Sequence, residues 1–200
     1  MSSILFLVLG IVIAIGGLKL WDSFWSFRAQ KLETYTQADA GNTASLAEWF
    51  NGAFSAHGVI YDYSGHVRAR FSAEIEGEIG ENSGRLRETF AYSSGRVDRR
   101  EWTIRHKNGD RRFTATAPDI IGEASGEISG DAIRITYRLR LPEQAGGHVL
   151  DVVDWLYRLD DGAIVNRSEM RKFGFKAAEL VAVFRPSSSA ATLAPGVAAE

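Results

Sequence analysis

Along residues 67–79 apolar and polar residues alternate. Val67, Ala69, Phe71, Ala73, Ile75, Gly77 and Ile79 hold one parity, and Arg68, Arg70, Ser72, Glu74, Glu76 and Glu78 the other. A period of two sends successive side chains to opposite faces of a strand, so this run predicts a long strand with one wet face. Ile133, Ile135, Tyr137, Leu139 and Leu141 alternate likewise with Arg134, Thr136, Arg138 and Arg140. Turn residues separate such runs at Ser64-Gly65, Asn82-Ser83-Gly84, Ser94-Gly95, Asn108-Gly109, Gly130-Asp131, Gly146-Gly147 and Asp161-Gly162. The pattern predicts about ten strands, near 53–62, 66–79, 85–92, 97–106, 111–117, 122–129, 132–141, 148–159, 163–173 and 175–185. Short sequential hairpins make a meander. An open sheet of that size exposes two edges, which closure removes. The fold expected is therefore mainly β, an antiparallel up-and-down barrel large enough to enclose a small ligand. A β-sandwich is the alternative, but the long unbroken alternations favour the barrel. An outer-membrane barrel is disfavoured, because the polar faces are densely charged.

The N-terminus follows another rule. Ser2–Leu18 carries no charge, and Lys19 can snorkel, so the apolar length reaches Leu20 and Trp21. Roughly 17–20 apolar residues suffice to cross a bilayer as a helix, and Trp21, Phe24, Trp25 and Phe27 follow as an interfacial belt would. No basic n-region precedes the run and no cleavage motif follows it, which predicts an uncleaved transmembrane anchor over residues 1–21. Lys19, Arg28 and Lys31 lie after the helix, and by the positive-inside rule they would keep the domain in the cytoplasm. Residues 22–45 read as a juxtamembrane amphipathic helix and a polar linker at 37–43. That helix either lies on the membrane or packs on its own domain. Ser45 and Glu48 form a capping box opening a short helix that Gly52 stops. The barrel domain is then 46–185, and the Ser/Ala/Pro/Gly-rich tail 186–200 reads as disordered.

The stretch His148–Phe175 draws most attention. Asp161-Gly162 at the centre of a two-residue type I′ turn would pair Tyr157 with Asn166, Trp155 with Ser168 and Val153 with Met170. One face of this hairpin becomes an apolar wall with a polar inset of Tyr157, Asn166 and Ser168. Trp102, Tyr137, Trp155, Tyr157, Asn166, Ser168 and Met170 are the candidate barrel lining for an apolar ligand with a polar handle; as structure alone, the same residues would satisfy one another in a filled core. Asp154 falls on the other face, diagonal to Arg167 and Arg171. That charged cluster reads first as a cross-strand ion pair on a wet surface, and second as a site for an anionic group.

Charge and composition remove other functions. A net charge of −2 over 200 residues gives no pull toward nucleic acid. There is no cysteine, which excludes disulfides, thiol catalysis and zinc–thiolate sites. The four histidines, His57, His66, His106 and His148, show no metal-ligand spacing. No phosphate loop, nucleophile elbow or zinc-protease helix occurs, so neither catalytic residue, metal nor cofactor is assigned. Asn166-Arg167-Ser168 meets the glycosylation pattern inside a strand, as a chance match. Arg68, Arg70, Arg134, Arg138 and Arg140, interleaved with Glu74, Glu76, Glu78 and Glu88, read as mixed solvated faces.

Particular residues resemble a known family. Trp49-Phe50-Asn51-Gly52, Gly58, Asp62 and Arg70-Phe71 resemble the opening of an uncharacterised family of proteobacterial envelope proteins, often lipid-anchored. The similarity continues through Arg99–Trp102, Asp119–Ala124 and Asp154–Tyr157 to Asn166–Gly174, covering about residues 46–185. The resemblance implies a lipocalin-like fold and a periplasmic domain, against the charge rule. It implies no activity. This chain lacks the anchoring cysteine, which the N-terminal helix would replace at the inner membrane. Three functions follow in order: a membrane-tethered, lipocalin-like protein binding a lipid or other apolar small molecule; a non-catalytic structural or interaction protein of the envelope with a filled barrel; and, last, an enzyme using Asp154 or Tyr157 as acid or base. Protein partners and oligomeric state are not indicated.

Overall fold

The computed structural model describes residues 2–25, 30–32, 44–107 and 109–187. Ser2–Trp25 forms helix α1 of 24 residues, and its described apolar side chains, Leu7, Ile13 and Leu18 among them, are exposed. Among the described residues no helix is long and apolar enough to cross a membrane, so the structure does not carry the transmembrane expectation. Most of the expected juxtamembrane helix, the linker at 37–43 and the tail after 187 lie outside the described residues.

A second helix, α2 (Leu46–Phe50), begins with the expected capping box. Ser45 Oγ accepts from the Glu48 amide, and the Glu48 carboxylate accepts from the Ser45 amide at 2.6 Å. Ten strands follow: β1 (Gly52–Asp62), β2 (Val67–Ile79), β3 (Ser83–Tyr92), β4 (Val97–His106), β5 (Arg112–Thr116), β6 (Ala124–Ser129), β7 (Ala132–Arg140), β8 (Val149–Arg158), β9 (Ile164–Lys172) and β10 (Phe175–Pro186). Each pairs antiparallel with its sequence neighbours, and β1 also pairs with β10, closing the barrel. Closure rules out the sandwich and leaves no free sheet edge.

The two ends differ. At one end α2 is a plug: Trp49 and Phe50 are buried among Phe54, Ile75, Ile79 and Leu86. Its backbone rests directly on β2, where Gly77 supplies the room; a methyl group there would overlap the Phe50 carbonyl oxygen. Inward aliphatic and aromatic side chains, including Ile104, Phe113, Ile128, Ile133, Leu156 and Ile164, fill this half. Toward the other end, the mouth, the inward positions change. Ala56, Gly58, Ala73 and Ala182 are small, and the buried Phe71 ring takes up the room over Gly58, while Ile60, Phe90, Tyr92, Ile135, Tyr137 and Leu180 face inward yet remain only partly buried. These half-exposed side chains pack against the core from the mouth side, with the Phe71, Phe90 and Tyr92 rings in mutual contact. The segment before β6 extends the wall beside β7: Ile120 bridges Leu139, the Ile121 amide donates to the Arg138 carbonyl, and Ile120 packs with Leu139 and Leu150.

The central hairpin differs from the sequence expectation by one residue. The observed partners are Tyr157↔Val165, Leu156↔Asn166, Trp155↔Arg167 and Asp154↔Ser168. The cause is the turn. Leu159 and Ala163 close a three-residue loop, Asp160-Asp161-Gly162, in which Gly162 has φ 79° and Asp161 keeps a negative φ. This is a type I turn with a glycine bulge, not the two-residue type I′ turn. A slip of one residue sends every side chain of one strand to the other face relative to its partner. The two-residue turn with both φ positive occurs instead at Phe173 (φ 53°) and Gly174 (φ 83°), between β9 and β10.

Candidate binding site in the barrel interior

The corrected register sorts the expected lining into two groups. Trp102, Tyr137, Asn166, Ser168 and Met170 stand on the inward face. Trp155 and Tyr157 stand outside. Trp155 is fully buried there by Leu32, Val153 and Ala132, and its ring stacks on Tyr157 at 6.0 Å. The Tyr157 hydroxyl donates to Gln30 Oε1 at 2.9 Å. These two aromatics hold the N-terminal segment on the outer wall and do not line the interior. The charged cluster also separates. Arg167 and Arg171 face outward, Arg167 bonding Glu179 at 2.7 Å and Arg171 bonding Glu169 at 2.5 Å, and neither meets Asp154.

Asp154 instead points inward and joins a buried polar network at mid-barrel. Its Oδ2 accepts from the Tyr137 hydroxyl at 2.9 Å, while Oδ1 is buried without a partner among the described residues. Ser168 stands directly across the ladder from Asp154 and stabilises its carboxylate as a hydrogen-bonding neighbour; its hydroxyl also lies 3.2 Å from Asn166 Oδ1, and Asn166 Nδ2 donates to the Trp155 carbonyl. Trp102 packs edge-on to Tyr137, with centroids 5.6 Å apart, and its Nε1 donates to Glu88 Oε2 at 3.2 Å. Arg100 lies 3.9 Å from the same carboxylate and donates from Nε and Nη2 to Asp119 Oδ2 at 3.0 and 2.6 Å. Asp119 comes from the segment that pairs with β7 ahead of β6, and its Oδ1 is again buried without a partner among the described residues.

Burial dominates the electrostatics here. It pushes the carboxyls of Asp154 and Glu88 above the ordinary carboxylate range, although neighbouring hydrogen-bond donors and Arg100 pull the other way. Burial and the neighbouring Asp154 likewise hold the Tyr137 phenol well above its ordinary value. Burial works against the Arg100 charge, but Glu88, Tyr137 and Asp119 outweigh it, and its pKa is raised. The site is therefore a set of apolar walls around one polar patch that offers a guanidinium, a phenol and carboxyl oxygens with unused acceptor capacity.

Sequence reasoning misses Glu88, Arg100 and Asp119 as site residues. It assigns Glu88 to a solvated face, yet Glu88 is 9% exposed and faces inward. The usable signal is parity: Trp102 inward on β4 requires Arg100 inward two residues earlier. Asp119 carries no such signal, since its loop has no period. Among the described residues no group of His, Asp and Glu is placed to hold a metal ion. Two clefts lie outside the barrel interior. One of ≈ 530 Å³ flanks α2 and is lined by Trp49, Asn51, Phe54, Asp131 and Arg158. The other, of ≈ 350 Å³, runs over the outer wall at His57, Val59, Tyr61 and Val181.

Comparison with solved structures supports the architecture. The S-type phycobiliprotein lyase CPES from Guillardia theta superposes with a TM-score of 0.51 at 5% identity, covering 70% of this chain and 89% of that one. At such identity the likeness shows a shared lipocalin-like barrel fold alone. A de novo designed fluorescence-activating β-barrel aligns with a TM-score of 0.36 at 13% identity, over 72% of this chain and 99% of that one. No curated protein matches the chain in sequence. A family model matches residues 22–186, reaching past the barrel to the segment that Trp155 and Tyr157 hold, and by that match the chain belongs to the family described as "Protein of unknown function (DUF3833)".

Proposed function

We propose that the mouth-side half of the barrel binds an apolar small molecule carrying one polar group, with the apolar body against Ile60, Phe90, Tyr92 and Leu180 and the polar group at Asp154, Tyr137 and Arg100. The observation that carries this reading is the row of inward side chains that stay partly exposed beside a buried carboxylate whose Oδ1 has, among the described residues, no well-formed hydrogen bond and only the Ser168 hydroxyl as a polar neighbour. A core selected only for stability would have filled that space and paired that oxygen. The fold shared with a phycobiliprotein lyase is compatible with a small-molecule guest. We further propose that the protein is tethered to a membrane of the bacterial envelope by its N-terminal helix and that the guest is lipid-like. The charge-free run Ser2–Leu18 and the exposed apolar side chains of α1 support this.

The test uses a brominated fatty acid titrated into the detergent-free chain from residue 22 while tryptophan emission is followed. Trp102 faces the proposed guest and Trp155 does not. Quenching should survive Trp155→Phe and be largely lost in Trp102→Phe; quenching that depends on neither residue would refute the assignment. The second reading, a structural protein with a filled barrel, rests on the dense packing of the α2-side half. It predicts no saturable quenching in any variant.

A further inference from the structure

We propose that the mouth of the barrel docks on an anionic lipid bilayer, with the β9–β10 and β1–β2 turns entering the headgroup layer. This goes beyond guest binding and does not require it, since a filled barrel could dock the same way. The turns joining β1 to β2 and β9 to β10 are neighbours, because β10 lies between β1 and β9. Together they present four exposed apolar side chains: Phe173 at 79%, Tyr63 at 75%, Val67 at 56% and Phe175 at 51%. Outside α1, large exposed apolar residues among the described ones gather at this end; at the α2 end there is Leu159. Scattered apolar residues need no explanation, but a contiguous rim of them does.

Backbone conformation adds an independent observation. Phe173 is the non-glycine residue with positive φ among those described, and it occupies a type I′ position that Asn, Asp or Gly would fill at less strain. Charge selects the partner. Lys172 stands 5.5 Å above the Phe173 ring, and Arg68 and Arg70 rise from the adjoining strand on exposed positions. Of the acids nearby, Asp62 accepts from Ser64 and His66 and Glu179 bonds Arg167 and Lys176, while Glu143 stays exposed in the adjoining β7–β8 loop, whose His148 Nδ1 lies 3.0 Å from Lys172 Nζ. The turns at the α2 end instead carry Glu81, Asp110, Asp131, Asp160 and Asp161 against Lys107 and Arg111. The β1–β2 and β9–β10 turns are therefore more basic than the turns at the α2 end, although Glu123 and Glu143 stand in other mouth loops, and aromatic plus basic side chains match a headgroup layer above acyl chains.

Because α1 can hold the chain at a bilayer whichever way the barrel points, the test reads orientation rather than binding. The chain has no cysteine, so a single Phe173→Cys or Leu159→Cys substitution gives a unique nitroxide site. Each full-length variant is reconstituted in phosphatidylcholine vesicles with or without phosphatidylglycerol, and collision with oxygen is compared with collision with a water-soluble nickel chelate. The expected result is lipid immersion of the label at residue 173 in phosphatidylglycerol vesicles, lost in high salt and on adding Lys172→Glu, with the label at 159 in water throughout. A water-exposed label at 173, immersion at 159, or equal immersion of 173 without phosphatidylglycerol would each overturn the proposal.

Discussion

Asp154 sits where a carboxylate is costly. Burial raises its pKa above the ordinary 3.8, so the folded protein holds that proton more tightly than the unfolded chain. Between the ordinary and the raised value the folded state binds more protons, and stability falls as pH rises through that window. Asp154→Asn should remove that part of the pH dependence. Urea denaturation between about pH 4 and pH 8 should show the variant gaining on the parent as pH rises; parallel curves would mean the carboxylate is not where the structure puts it. Tyr137→Phe leaves Oδ2 of Asp154 as unpaired as Oδ1, and should cost about 1–3 kcal/mol of stability. Residue parity makes half of this site legible. Tyr137, Asn166, Ser168 and Met170 read as one face and stand on one face. Asp154 falls opposite them in the sequence reading because that reading gives the hairpin turn two residues, and the same miscount puts Trp155 and Tyr157 inside.

Among elements, the strands are readable because a wet face and an apolar face impose strict alternation on β2, and because apolar and polar residues alternate along β7. Register is less readable, since it depends on whether Gly162 alone or Asp161 as well takes a positive φ, and Asp-Gly is compatible with both turns. The α2 plug announces itself through Ser45 and Glu48. Its seat on Gly77 does not, because a glycine within an alternating strand carries no mark of what approaches it. Gly77→Ala should lift α2 from the barrel and cost about 1–3 kcal/mol as overpacking does, measured by chemical denaturation; an unchanged midpoint would show that α2 adjusts freely. On the outer wall, Leu32 is buried against Val153 and Trp155. Leu32→Ala should cost about 2 kcal/mol and shift Trp155 emission to the red, whereas a solvated linker would give neither change.

As a whole molecule, the protein is a closed barrel plugged at one end and lined by half-exposed inward side chains at the other, with its polar network between. Closure and strand number follow from alternation and turn spacing alone. The difference between the two ends does not, because it arises from which inward residues share a level, and that requires the register around the full barrel. Central to this account is an interior that receives a guest. The direct measurement is mass spectrometry of an organic extract of the chain from residue 22, purified without detergent, beside its Leu180→Trp variant, in which an indole stands among the half-exposed inward side chains at the mouth. The account predicts one apolar species in near-stoichiometric amount from the parent and its absence from the variant. Extracts of both proteins that contain no such species, or the same species in equal amount, would contradict it.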